Sequence, residues 1–85
     1  MKYRYQEYTW PEILEAVKHQ KVCVLPVGTV EQHGHHLPLA VDNLTSNEIS
    51  RRAVEQIPDE AVLMPQVSYG FNEHHMDFPG TIAIP

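Results

Sequence analysis

At 85 residues, with 42% hydrophobic and 20% charged side chains, the chain has the composition of one ordinary globular domain and not of a disordered or fibrous segment. Six Lys and Arg against eleven Asp and Glu leave a net charge of −5. No basic cluster is present to displace counterions from a phosphate backbone, so nucleic acid is excluded as the main partner. The longest run free of polar or charged side chains, Val22 to Gly28, is far short of a bilayer span, and the first residues lack the apolar core of a signal peptide. The chain therefore reads as cytoplasmic with no membrane partner. Cys23 is the single cysteine, so no intramolecular disulfide can form, and its place in an apolar run marks it as a small core residue. Five of the six histidines fall in two short windows, 33–36 and 74–75, and such clustering points to chemistry.

In chain order, Thr9-Trp10-Pro11-Glu12 has the form of a capping box with proline in the first turn, and Trp10, Ile13, Leu14 and Val17 follow at i, i+3, i+4, i+7. An amphipathic helix is predicted over 9–20. His19, beside Lys18 and Lys21, complements its carbonyl end. Tyr3, Tyr5, Tyr8 and Trp10 read as cover for the sheet or a neighbouring subunit. Val22 to Val27 is a valine-rich apolar run, the pattern of a strand covered on both faces. A polar loop follows Gly28, and a second helix is predicted over 42–57, with Ile49, Ala53 and Ile57 on one face and Val54 beside them. Asp42 can cap it, or Thr45 and Glu48 can form a capping box slightly later. Ala61 to Val67 is a second strand, Tyr69-Gly70 opens another polar loop, and Thr81 to Ile84 begins a third strand.

This order contains one βαβ unit, whose strands are parallel and whose crossover is right-handed. Loops 29–41 and 68–80 both leave the carboxyl ends of parallel strands, so they open on the same sheet edge, where ligands of α/β folds bind. The fold class is α/β, a parallel sheet with flanking helices. Residues 1–85 form a single domain that reads as incomplete, because so few elements leave sheet edges uncovered and a chain this short buries only about 60% of its unfolded surface.

The most informative stretch is Glu31-Gln32-His33-Gly34-His35-His36 with Asp42 nine residues beyond His33. Side chains alternate along an extended chain, so Glu31 and His33 project together, with His35 on their side, while Gln32 and His36 face away. Asp42 can return to the same place as a third ligand. Carboxylate and imidazole together suit zinc, manganese or similar first-row ions. A Glu-x-His pair alone is a weak signal, and Asp42 alone is more often simply a helix cap; their conjunction is stronger. His36 is assigned to substrate contact or to support of the ligands. His74-His75 sits on the predicted functional edge, with a solvated pair or a structural hydrogen bond as the plainer readings. Dinucleotide, phosphate-loop, zincin and nucleophile-elbow templates all fail.

These residues resemble a known family. Leu25-Pro26-Val27-Gly28, Glu31 to Leu39 and Val41-Asp42 look like the metal-binding signature of the creatininase (creatinine amidohydrolase) family. Phe78-Pro79-Gly80-Thr81, after Tyr69-Gly70 and His75, is similar to its second signature. The resemblance implies the amino-terminal part of a three-layer α/β/α fold and a metal-dependent amidohydrolase. Its cofactors would be two divalent ions, zinc, manganese or similar, its substrate a small-molecule, non-peptide and possibly cyclic amide, and its assembly a homo-oligomer, hexameric in the family. By position, Glu31 would bind one metal, His33 the other, and Asp42 would bridge them. His75 falls in the second signature and joins His36 as a contact to substrate or ligands. Family members are longer; the ligands that complete the centre and the groups that hold substrate come from a later segment, so no catalytic residue is assigned here and this stretch alone is expected to be inactive. Phe71 to Asp77 is shorter than the corresponding Ser/Gly-rich stretch of creatinine-hydrolysing members and carries two acidic residues, so the resemblance does not fix creatinine as substrate. The rival readings are a non-catalytic accessory α/β module and a small metal-binding protein.

Overall fold

The computed structural model describes residues 1–84; Pro85, the last residue of the predicted domain, lies outside them. After a short 3-10 turn at Tyr5–Glu7, helix α1 spans Trp10–Lys18. It starts where the sequence places it: Glu12 Oε1 accepts the Thr9 backbone N–H at 2.9 Å and the Thr9 hydroxyl at 3.0 Å, with Pro11 in the first turn. Lys2 Nζ approaches the same carboxylate at 3.0 Å. Beyond the His19 cap, Gln20 takes a left-handed φ of 54° and turns the chain into the first strand.

Strand β1, Val22–Val24, pairs in parallel with β2, Ala61–Leu63, in the register Val22 to Ala61, Cys23 to Val62 and Val24 to Leu63. The amino-terminal segment lies on the other side of β2, where Leu63 donates its N–H to Tyr3 O at 2.7 Å and Arg4 bridges Leu63. Flanked on both edges, β2 is buried along its whole length. The regular ladder is shorter than the predicted 22–27 and 61–67, because Pro26 and Pro65 have no N–H to donate. Pairing resumes beyond them, with Val67 N–H on Pro26 O at 3.0 Å and Gly28 N–H on Val67 O at 2.8 Å. Thr81 to Ile84 does not form a third strand of this sheet. Ile82 and Ala83 instead make isolated bridges to Val30 and Gly70, strapping the two loops together.

Two burial expectations are corrected. It is β2, not β1, that is covered on both faces: Val22 is 62% exposed and Cys23 lies open to solvent on the lip of a cavity of about 60 Å³ beneath α1, which Ile13, Ala16, Val17 and Val62 also line. The second helix, α2, spans Val41–Gln56 and its Ile49, Ala53 and Ile57 face is exposed. The inward face carries Asn43, Ser46 and Val54. Short polar side chains let α2 approach closely and bond to the segment after β2, where Gln66 Nε2 donates to Asn43 O at 2.6 Å and Asn43 Nδ2 to Ser68 O at 3.2 Å. Val54, fully buried, joins Ala61 and Leu63 as the core, against which Tyr3 and Val24 pack.

The start of α2 differs as well. Ala40 occupies the cap position with no side-chain cap, Asp42 sits inside the first turn, and Glu48 binds Arg51 and Arg52 instead of closing a box with Thr45. Of the aromatic residues, Tyr3 covers the core and Tyr8 Oη donates to Lys2 O at 2.7 Å, whereas Trp10 is 79% exposed. No helix among the described residues is long and apolar enough to cross a membrane.

Candidate metal centre

The parallel register puts the loops after β1 and β2 side by side. Asn72, 2% exposed, ties them by donating Nδ2–H to Thr29 Oγ1 at 2.8 Å and to Val30 O at 3.3 Å, and Ile82 N–H reaches Val30 O at 2.9 Å. At the crossing, Glu31, His33 and Asp42 bring one ligand atom each within 4.8 Å of one another, all half-buried. Alternation accounts for Glu31 and His33. Asp42 arrives because α2 begins two residues earlier than a cap role requires, so its carboxylate is free to face His33, with the positive helix start behind it.

Alternation fails after His33. Gly34 takes a left-handed φ of 79°, and His33 pairs with Leu37 across the resulting turn, which leaves His35 and His36 exposed. His35 is thus not on the side of Glu31 and His33, and the His36 ring lies over Gly34 instead of joining the cluster. His75 does reach the cluster: its Nε2 stands 3.1 Å from Glu31 Oε2. Glu31, His74 and His75 form a second convergent set within 4.8 Å. Alternation points Gln32 away from the site, and His74-His75 on the functional edge reads as well as a solvated pair or a structural hydrogen bond, yet Gln32 bonds His75 across the two loops at 3.0 Å. The only signal for this contact was the placement of both loops on one edge, since pairing 43 residues apart depends on the register of the strands beneath.

Hydrogen bonding tells whether the first set suits a cation. His33 Nδ1 lies 3.2 Å from Glu31 O, a carbonyl that can only accept, so Nδ1 carries the proton. In the neutral ring, Nε2 then presents a lone pair to Asp42 Oδ1 at 3.3 Å. Two acceptors this close repel unless a positive charge sits between them, supplied by a proton on the ring or by a metal ion. Donation of the other ring nitrogen to a carbonyl is also how metal-bound histidines are held. The donor set therefore fits a divalent ion. Beside Asp42, an open depression of about 470 Å³ lined by Val27, Gly28, Val41, Thr45 and Ser46 leaves room at the sheet edge.

The sequence pattern of creatinine amidohydrolases matches residues 6–85. The chain belongs to the creatininase family. Within it, the chain is 37% identical over 84 residues to creatinine amidohydrolase of Pseudomonas putida, covering 92% of this chain and 32% of that protein. It is 42% identical over 67 residues to the mycofactocin precursor peptide peptidase of Mycolicibacterium smegmatis, covering 74% of this chain and 27% of the peptidase. Among solved structures, a creatininase E122Q mutant in a Zn-Zn form superposes with a TM-score of 0.85 at 34% identity, covering 99% of this chain and 34% of that one. The chain thus spans about a third or less of its relatives and carries the amino-terminal α/β part of the creatininase fold.

Proposed function

We propose that these residues form the amino-terminal portion of a metal-dependent amidohydrolase that cleaves the C–N bond of a small non-peptide amide, cyclic amides included. The observation that carries this reading is the face-to-face pair of acceptors, His33 Nε2 and Asp42 Oδ1, with Glu31 converging on the same point. Glu31 would hold one ion, His33 the other, and the two oxygens of Asp42 would serve both. Such ions, zinc or manganese by likeness to relatives solved in those forms, would polarise an amide carbonyl and acidify a water near neutral pH.

The chain's own residues contribute placement. The Glu31 carbonyl keeps the His33 ring in the tautomer that points a lone pair at the site. Asp42 is held by the first turn of α2, which Gln66 and Asn43 fix to the segment beyond β2. His36, in the exposed turn that follows Gly34, is assigned to substrate contact, and proton delivery to the departing nitrogen to residues beyond this chain. Assembly of identical subunits belongs to the same reading and is supported by the exposed apolar surface at Trp10, Val17 and Val22.

The peptidase likeness makes a peptide amide the competing substrate. The test is metal analysis and amine release by the full-length protein with zinc or manganese, on creatinine, other cyclic amides and short peptides. Two equivalents of metal, turnover of a non-peptide amide, and loss of both on Asp42→Asn with the fold retained are expected. Unchanged metal content in Asp42→Asn would remove the bridging role, and turnover of peptides alone would reassign the substrate.

A further inference from the structure

The second convergent set, Glu31, His74 and His75, has the residue types of another metal site, but its hydrogen bonds have the opposite polarity to those of the first. Gly34 donates its backbone N–H to Gln32 Oε1 at 2.9 Å, which fixes the orientation of the Gln32 amide. Gln32 Nε2, 3.0 Å from His75 Nδ1, must then donate, so Nδ1 accepts and carries no proton. The proton of the neutral His75 ring therefore resides on Nε2, 3.1 Å from Glu31 Oε2. Here a donor faces an acceptor, and no cation is needed between them. As neutral rings, His33 and His75, which share Glu31 between their two sets, thus hold opposite tautomers, one presenting a lone pair and the other an N–H.

We propose that Gln32 and His75 form a positioning relay, from the Gly34 backbone through the Gln32 amide and the His75 ring, that fixes one oxygen of Glu31 and leaves the other for the site. His75 is then a positioning residue and not a metal ligand. The relay joins the two loops, so it also couples the Glu31 carboxylate to the segment that ends in Phe78, whose ring lies 6.4 Å from that of His75. The role of the relay toward metal rests on the function proposed above, but its hydrogen-bond polarity does not.

Two measurements on the full-length protein separate these. Long-range proton–nitrogen NMR of the metal-free protein reads the tautomer of His75. The neutral, Nε2-protonated form is expected in the wild type, and Gln32→Leu, which removes the donor to Nδ1, should weaken the preference for that tautomer. An Nδ1-protonated wild-type ring would overturn the relay. The second measurement is zinc affinity by competition with a chelator. Loss of a supporting hydrogen bond typically weakens metal binding by 10–100-fold, so His75→Leu should bind zinc about 10–100-fold more weakly with unchanged stoichiometry. His75→Gln, which keeps an N–H donor, should restore most of the loss. A drop of one zinc per chain in both His75 variants would make His75 a ligand and overturn the proposal. A wild-type protein that binds no zinc yet shows the Nε2-protonated ring would end the metal reading while supporting the relay.

Discussion

Helices α1 and α2 flank the same two strands, yet they reach the sheet by opposite means. In α1 the local signals are strong: a capping box, proline in the first turn and an apolar stripe. Its Trp10, Leu14 and Val17 are nevertheless 79%, 48% and 66% exposed, and a cavity separates the helix from β1. In α2 no side chain caps the start and the apolar residues do not form one stripe, but Val54 is fully buried and Asp42 faces the candidate centre. Local signals tell where a helix starts and stops. What places it is the set of contacts it makes elsewhere, and for α2 these are hydrogen bonds and a close glycine contact.

The comparison breaks most directly at Gly28. A Cβ there would overlap Asn43 Oδ1 and lie 3.0 Å from the Asn43 backbone N and Cα, so the first turn of α2 would have to move. Gly28→Ala should cost about 1–3 kcal/mol, the usual range for overpacking, and weaken zinc binding, because Asp42 moves with the turn. Melting and metal analysis would show it; an unchanged melting temperature would mean that α2 is not held by this contact. Val54→Ala comes next, at roughly 2 kcal/mol, from two carbons at about 0.8 kcal/mol each plus the cavity left behind. Its metal affinity should stay near wild type, since Val54 lies more than two turns of helix from Asp42. Val17→Ala on α1 should change stability by less than about 0.5 kcal/mol if that face is as open in the full-length protein as it is in residues 1–84. A loss above about 1 kcal/mol would show that further chain or a second subunit covers α1.

Much of the site was legible because it lies within twelve residues of sequence. Glu31 and His33 share a side by strand alternation, and only the turn at Gly34 had to be known to see that His35 and His36 leave it. Asp42 was read with two roles open, and the structure withdraws the cap: Ala40 holds that position while the carboxylate faces His33. The βαβ unit, its parallel pairing and the shared edge of the two loops follow from the order of elements. The buried face of α2 was not legible. Hydropathy selects Ile49 and Ile57, whereas the packing uses short polar residues whose partners, Gln66 and Ser68, lie across a crossover. The contact of Gln32 and His75 was hidden for the same reason. Each residue lies in a recognisable motif, but nothing local pairs them, and their contact depends on the strand register that sets the loops side by side.

The smallest expected effect separates the helices by pH and salt. Each carries one carboxylate held well below its ordinary value of 4.5, at about 2: Glu12 chiefly through the Thr9 backbone N–H, then Lys2, and Glu48 chiefly through hydrogen bonds from Arg51 and then Arg52. A depressed folded-state value means that the stabilisation is complete above the unfolded value near 4.5 and is lost as pH falls toward 2. Both carboxylates are open to solvent, so the effect is small and is read as a difference in slope. Melting temperatures between pH 5 and 2 should fall less steeply in Glu12→Gln and in Glu48→Gln than in the wild type, and Glu12→Gln should change little at pH 7, because glutamine also closes a capping box. Salt distinguishes the two. Screening shortens from about 10 Å at 0.1 M to about 3 Å at 1 M, so high salt should erase most of the Glu48 contribution, which comes from charged partners. It should leave more of the Glu12 contribution, whose leading partner is an uncharged backbone N–H in direct contact. Equal loss of both slopes at 1 M salt would mean that Lys2, and not the Thr9 cap, holds Glu12, and that α1 begins by the same surface charge pairing that decorates α2.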